Sequence, residues 1–344
     1  MKITYIGYNI EELQKKVKRG DFSSQLLYGA IELEKRNINI SYFSPAKKGV
    51  INLMKDIIRI QQNKSDVLFF PYITEKFYIM LYIAKKIGFL KREKLIGILH
   101  YTPIITSTNK FYIKHIYKTF NKIYFHSPLN MEECIEQKIV SKNQAEQLYW
   151  GSELSYFNSI HTGKEKERFI STGLENRDYK TLIDAFSQSQ QELDIYLYFN
   201  SFQKNVIQNS NKYVKIHYIK QENINQYYTA QKTKEAICVV VPINDKGLKY
   251  CTGHTSIIEA MALGKPIIVT DNPYHPIDVE KEQIGIKVKP HDIVSWQHAI
   301  NYMISHKEEM NKMGKRGRLL AESTYNIDKC AEQIYNYVIT LTHK

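Results

Sequence analysis

The chain is sparing with cysteine. Its 344 residues hold four, at Cys134, Cys238, Cys251 and Cys330. None stands in a C-x-x-C pair, which argues against a zinc or thioredoxin-type site, and scattered single thiols fit a reducing compartment. No apolar run reaches the roughly 18 residues a membrane-spanning helix needs. The opening MKITYIGYN lacks an apolar stretch before a small-residue cleavage site, so it reads as a strand and not as a signal peptide. The expectation is a soluble, cytoplasmic protein. Glycine spacing excludes further chemistries. G-x-G is missing everywhere, and with it the dinucleotide fingerprint. Neither Gly163-Lys164 nor Gly264-Lys265 continues into Ser or Thr, so there is no P-loop. There is no G-x-S-x-G nucleophile turn. The absence of D-x-D weakens any metal-held sugar-nucleotide reading, and the histidines are not at metal-ligand spacing.

Charge is plentiful and uneven. The formal net charge is +13. Residues 1–150 hold 24 Lys and Arg against 13 Asp and Glu, a net of +11, while the remainder holds 24 against 22, a net of +2. The first half is therefore the part suited to an acidic partner: nucleic acid, an anionic membrane surface or a phosphorylated substrate. A genome rich in lysine and tyrosine codons would also raise the charge, but would not obviously favour one half.

Hydrophobic content of 43% lets two domains each bury a core. Strands are predicted over 3–6, 38–43, 67–70, 95–99 and 124–125, with helices over about 25–36, 50–60, 77–87 and 111–120. Lys110, Lys114, Lys118 and Lys122 recur every four residues and predict one helical ridge. A polar stretch over 152–166 marks a boundary. The alternation resumes with strands over 168–171, 195–198, 214–218, 237–241, 267–270 and 286–288. Helices are predicted over 179–186, 257–263, 293–304, 308–322 and 326–341. Repeated β-α-β alternation means parallel sheets covered on both faces. The predicted fold is α/β, two doubly wound domains, with 1–150 and 151–325 followed by a last helix in 326–344. Two such halves are expected to face each other across a cleft, with ligands at the carboxyl ends of the strands.

One stretch carries most of the chemistry, Gly253 to Asp271, GHTSIIEAMALGKPIIVTD. A small-residue turn at Thr252–Ser256 feeds a helix that stops at Gly264, then an apolar strand. Unpaired first-turn N–H groups and a positive dipole end make such a helix start an anion site. Glu259 lies too deep in the helix to cap it, and its carboxylate can accept from two adjacent hydroxyls, as a ribose presents. The stretch reads as a nucleotide diphosphate pocket. The alternative is an ordinary αβ unit with a surface glutamate.

These residues resemble the signature of retaining glycosyltransferases of the two-domain GT-B type, family 4 and its relatives. FISTGLENRDYKTLIDAF, residues 169–186, resembles that family's strand, glycine, basic residue and helix, and Leu148-Tyr149-Trp150-Gly151 its interdomain turn. The resemblance implies that Glu259 holds the ribose, that Gly253, His254, Thr255 and Ser256 cradle the pyrophosphate, and that Gly173 lets backbone approach a phosphate. Arg177 would neutralise the leaving diphosphate, a bidentate task that suits a guanidinium; otherwise it is a helix-start arginine in solvent. No cofactor and no metal is then required. The implied donor is a nucleotide sugar, with UDP favoured over GDP and its base near residues 217–221. The implied acceptor is a glycan on a polyprenyl-diphosphate lipid, as in bacterial surface-polysaccharide synthesis.

The sequence departs from the family where its pattern has a glutamate eight positions before Glu259; here that position is Cys251. This leaves retention or inversion open. An inverting reaction would need a base from the first half, and Asp21 and His100 are the candidates, each with a structural alternative as a helix cap or a strand-end histidine. The lysine ridge with Phe111, Tyr112 and Tyr117, and the cluster Lys85, Lys86, Lys91, Arg92 and Lys94, would face anionic headgroups at the inner membrane surface. The last helix would cross back to the first domain. Two other readings remain: a sugar-nucleotide 2-epimerase of the same architecture, and a basic module binding membrane or nucleic acid without catalysis.

Overall fold

The computed structural model describes residues 1–46, 50–73, 75–90, 93–107, 109–173, 175–198, 211–219, 225–245, 247 and 249–341. The chain forms two compact units. One combines Met1–Arg19, Ser24–Trp150 and Ile327–Lys344; the other combines Gly20–Ser23 with Gly151–Asn326. The units are thus interleaved. A four-residue turn from the first 150 residues belongs to the second unit, and the last helix belongs to the first.

The first unit runs β1 (Lys2–Ile6), α1 (Ile10–Lys18), α2 (Ala30–Lys35), β2 (Asn39–Phe43), α3 (Val50–Gln62), β3 (Val67–Phe70), α4 (Glu75–Lys86), β4 (Lys94–Ile98), α5 (Lys110–Tyr117), β5 (Lys122–Phe125), α6 (Pro128–Glu136) and β6 (Ala145–Gln147). Its sheet has six parallel strands in the order β2-β1-β3-β4-β5-β6. Apolar runs such as Val67–Phe70 are buried at every position, as strands covered on both faces must be. The connections β2→β3, β3→β4 and β4→β5 advance in one direction across the sheet. Right-handed crossovers therefore place α3, α4 and α5 side by side on one face, and α1 and α2 on the other.

The predicted helix over 25–36 is broken. Tyr28 and Gly29 both have positive φ, dividing a short 3₁₀ turn from α2. The final helix of the chain causes close quarters there, since a Cβ on Gly29 would lie 3.0 Å from Ala331 Cβ. Helix α1 is missing from the predicted elements, although Ile10, Leu13 and Val17 stand at helical spacing, with Ile10 buried and the other two half-buried. The lysine ridge needs correction. The helix ends at Tyr117, and Lys122 opens β5, paired with Glu146 at 2.6 Å. Tyr117 is buried in the core rather than set at an interface. Residues Lys91 and Arg92, and the side chains of Lys110, Phe111 and Lys114, lie outside those described.

The second unit runs α7 (Leu154–Asn158), β7 (Phe169–Thr172), α8 (Tyr179–Ser189), β8 (Leu193–Tyr198), β9 (Val214–Ile219), α9 (Gln226–Glu235), β10 (Cys238–Val241), α10 (His254–Ala262), β11 (Ile267–Thr270), β12 (Gly285–Val288), α11 (Ile293–Ser305) and α12 (Lys307–Ser323); α13 (Ile327–Ile339) then returns to the first unit. Its six strands are parallel in the order β12-β11-β10-β7-β8-β9. From β7 the chain winds towards β9; from β10 it winds towards β12. The order reverses between β7 and β10, so their outgoing helices leave on opposite faces and open a crevice between the two loops. The helix after β10 starts at His254, one turn earlier than its apolar residues predict, because Gly253 takes φ 87° and turns the chain into it.

The seat of α10 is tight. A Cβ on Gly314 of α12 would come within 2.1 Å of the Gly264 carbonyl oxygen, just past the end of α10. Gly314→Ala should therefore destabilise the second unit by about 2–4 kcal/mol through overpacking against backbone. Gly163→Ala, with no atom near the new methyl, serves as the neutral control. Urea denaturation of both variants checks this; equal midpoints would contradict the close packing.

Candidate active site

The β7–α8 and β10–α10 loops meet at the switch point and are stitched by backbone. Asn244 N–H donates to Asn176 O at 2.9 Å and Asp178 N–H to Pro242 O at 3.2 Å, on either side of a bridge between Arg177 and Ile243. Tyr250 reinforces this by donating to Glu175 Oε1 at 2.9 Å and accepting from Asn176. His291, at the carboxyl end of β12, spans Asp178 (2.6 Å) and Asp245 (2.9 Å), and these carboxylates raise its pKa. His291 thus ties the start of α8 to the β10–α10 loop.

Arg177 occupies the centre of this arrangement. Its Nη1 donates to Glu175 O at 2.8 Å and its Nη2 to Ser256 Oγ at 3.3 Å. Nε is buried without a hydrogen-bond partner. Among the described residues no carboxylate forms an ion pair with it, and burial pulls its pKa down, partly offset by Tyr179 and Glu175. Two glycines make room for the guanidinium. A Cβ on Gly173 would lie 2.7 Å from Nη2, and one on Gly253 would lie 3.7 Å from Nη1 and 2.8 Å from Val241 Cγ1. Both glycines have positive φ, so a side chain at either would also strain the backbone. Tyr179 fixes the first loop by donating to Gly173 O at 2.5 Å.

The helix beside Arg177 has an uncapped start: no side chain bonds the first turn of α10 at Gly253. His254 and Ser256 are buried there and Thr255 is exposed. A guanidinium without a carboxylate and a helix N-terminus without a cap form an electropositive pair, which an anion with several oxygens would satisfy. His275 holds the turn from behind: its Nε2 lies 2.6 Å from Thr252 O. Since a carbonyl only accepts, that nitrogen carries the proton. Burial, with Arg177 nearby, lowers the His275 pKa to about 4 and keeps the ring neutral.

Glu259 lies further along α10. Its Oε1 accepts from Gln226 Nε2 at 2.6 Å. Gln226 is itself buried, accepting from Ser23 N–H at 2.7 Å through Oε1 and donating its backbone N–H to Asp21 O at 3.0 Å. The charge of Glu259 also helps burial to raise the Tyr156 phenol. Tyr156 donates to Asp21 O at 3.3 Å. So the structure joins Asp21 to the surroundings of Glu259, through Gln226, within the second unit. Cys251 does not replace the missing acid electrically, because burial pushes its thiol up to about 12 and leaves it neutral.

His100 lies in the first unit. Nε2 donates to Pro71 O at 2.8 Å, and its ring stacks on Tyr72 at 4.3 Å and meets Tyr28 and His126 edge-on. Burial lowers its pKa to about 4. His217, at the start of the segment expected to hold a base, bonds Asp194 Oδ1 at 2.9 Å and stacks on Tyr196 in the edge strand pair; Lys220 and Gln221 lie outside the described residues. Sequence reasoning misses Gln226, His275 and His291. Each acts through partners more than 20 positions away, and none stands in a local motif.

Several comparisons bear on this site. Residues 158–320, a little under half of the chain, match the family model described as glycosyl transferases group 1. No curated protein matches the chain in sequence. Solved structures match over its whole length. HepE of Anabaena, in complex with UDP and glucose, superposes with a TM-score of 0.70 at 14% identity, over 98% of this chain and 99% of that one. Sucrose-phosphate synthase of Thermosynechococcus elongatus gives 0.70 at 14%, over 100% and 99%. A glycosyltransferase of Rickettsia africae gives 0.69 at 13%, over 99% and 98%. At these identities the likeness shows the fold, the two-domain α/β architecture called GT-B.

The two desolvated, neutral histidines, His100 and His275, make a pH dependence. Each has a folded pKa near 4 against about 6.5 when unfolded. The unfolded chain then binds protons first, so stability is fully present above about pH 6.5 and falls as pH drops towards 4. His275→Gln and His100→Gln, which keep a donor and lose the titration, should each flatten that fall in urea midpoints. An unchanged slope in both would contradict the assignment.

Proposed function

We propose that the chain is a glycosyltransferase that moves a hexose from a nucleotide diphosphate sugar, UDP in preference to GDP, to a glycan or lipid-linked acceptor. One observation carries the reading: a guanidinium with no carboxylate counter-ion among the described residues, packed between Gly173 and Gly253 at the uncapped start of α10. The family match over 158–320 covers this same region. UDP in the matching HepE structure supports the choice of donor.

In this reading the diphosphate sits at Arg177, with the first-turn N–H groups of α10 and Ser256 completing the cradle, while Glu259 accepts from the ribose hydroxyls. The bond from sugar C1 to the diphosphate oxygen breaks and its electron pair stays on the diphosphate. Arg177 and the helix N-terminus meet that growing charge, which lowers the barrier because the charge is largest in the transition state. Their positive charge performs the neutralising task, so the reading requires no divalent metal. The acceptor hydroxyl oxygen bonds to C1; if the reaction inverts, its proton passes to a base, Asp21 or His100, and if it retains, to the leaving diphosphate oxygen. With its proton on Nε2 and a pKa near 4, His100 serves better as a hydrogen-bond acceptor than as a strong base.

Gln226 has a positioning part, holding the Glu259 carboxylate from one side. Among the described residues no helix is long and apolar enough to cross a membrane. The proposed setting is the cytoplasmic face of a membrane, where a polyprenyl-diphosphate-linked glycan of surface-polysaccharide synthesis presents its hydroxyl.

Isothermal titration tests the donor site. Arg177→Ala should weaken UDP by about thirtyfold, the worth of charge-assisted bonds to phosphate, and leave uridine unchanged. Glu259→Ala should cost about tenfold for both ligands, and Gln226→Ala severalfold. If neither UDP nor GDP binds the wild type, and Glu259→Ala changes nothing, the reading fails. Acceptor-dependent release of UDP from a UDP-sugar separates transfer from 2-epimerisation.

A further inference from the structure

The first unit carries an apolar face that its own core does not use. On α3, Ile51 is 71% exposed and Met54 and Ile58 are also exposed, at helical spacings of three and four. On α4 and the turn after it, Ile87 is 74% exposed and Ile83 and Phe89 join it. These helices pack against each other, and α4 packs on α5, where Tyr112 is exposed. All three lie on the same face of the first sheet, as the crossover directions require. A soluble helix normally turns such residues inwards, and a contiguous exposed set marks an interaction surface.

Charge says what kind of surface would cover it. Lys55 and Arg59 stand between the apolar residues of α3, Lys86 lies next to Ile87 at the end of α4, and Lys118 closes α5. The acid on α3, Asp56, is buried; it accepts from Ala46 N–H at 2.6 Å and faces Arg59 at 3.7 Å. Among the described side chains of α3, α4 and α5, no carboxylate is exposed. An apolar stripe edged by cations fits the interfacial layer of a bilayer with anionic lipids: apolar groups enter the acyl boundary and cations meet the headgroups. A second copy of the chain fits poorly, because pairing this face with itself would bring Lys55, Arg59, Lys86 and Lys118 onto their like-charged counterparts.

We propose that the outer face of α3 and α4, continued by Tyr112 and Lys118 of α5, seats the first unit on an anionic lipid surface. The proposal rests on the membrane-acceptor reading above; it keeps Lys86, Tyr112 and Lys118 of the surface expected from the sequence, drops Lys122, which opens β5, and adds the apolar face of α3. The lipid source is the bilayer itself, held by nonspecific apolar and headgroup contacts, not a single bound lipid.

Vesicle flotation tests it. The full chain should float with phosphatidylcholine–phosphatidylglycerol vesicles at about 0.1 M salt, less so at about 0.5 M, and hardly at all with phosphatidylcholine alone. Ile51→Glu with Ile87→Glu should abolish flotation. Lys55→Gln with Lys86→Gln should weaken it by about twenty-five-fold, near fivefold per charge. Lys312→Gln, in α12 of the second unit, should not matter. These side chains are exposed, so folding is spared, and UDP titration of each variant checks it. Loss of flotation with UDP binding retained supports the proposal. A wild type that floats without binding UDP sinks the donor reading and leaves this one standing. No flotation of the wild type, or equal flotation of the Ile51→Glu, Ile87→Glu protein, overturns it. So does a wild-type dimer by size exclusion that this double variant dissolves, since the face would then be a self-association surface.

Discussion

A half-buried guanidinium that pairs with no carboxylate among the described residues governs the second unit. Leaving Arg177 desolvated between the two loops costs free energy, because burial works against its charge and Nε is unbonded. Nearby features follow from holding it there. Gly173 and Gly253 are glycines because a Cβ would strike the guanidinium or Val241. Tyr250, His291 and His275 fasten the two loops and the Thr252 turn that frame it. A cation that makes no ion pair among the described residues, with the Glu175 carboxylate acting on it only through space, is prepared for an anion from elsewhere. The uncapped start of α10 beside it has the same incompleteness.

Much of this was legible in the chain, and the reason is local. Val67–Phe70 and Ile267–Thr270 form strands as their unbroken apolar runs predict, since a strand buried on both faces has no polar position to hide it. The turn, helix and strand of Gly253–Asp271 are also written within nineteen consecutive residues. What local pattern misses is long-range. The α1 helix is an exception, since its stripe of Ile10, Leu13 and Val17 is local and readable, yet it is not among the predicted elements. At the break at Tyr28-Gly29 the chain runs close against Ala331, about 300 residues on, which leaves no room for a Cβ at Gly29. The bond that orients Glu259 comes from Gln226, whose own partners are Asp21 and Ser23 at the other end of the sequence. The Lys110–Lys122 ridge illustrates the opposite error: a spacing of four predicts a helical face only as far as the helix continues, and this one ends at Tyr117.

The uneven charge acquires a location in the first unit. Its cations are not gathered into one ridge. Some are spent on structure, as Lys122 is on Glu146 and Lys85 on Glu93 O. Others border apolar side chains that α3 and α4 leave in solvent. The two units thus carry different kinds of unfinished surface, an electropositive crevice in one and a basic apolar face in the other.

The most direct test of the central claim is residue-resolved. Backbone amide and arginine Nε–H resonances of the full chain would be followed during addition of UDP and, separately, uridine. The account predicts that UDP moves the Thr255 and Ser256 amides and the Arg177 Nε–H, and that uridine leaves these three in place. Perturbation by UDP confined to other residues, or equal shifts with uridine, would contradict a diphosphate held at Arg177 and the start of α10.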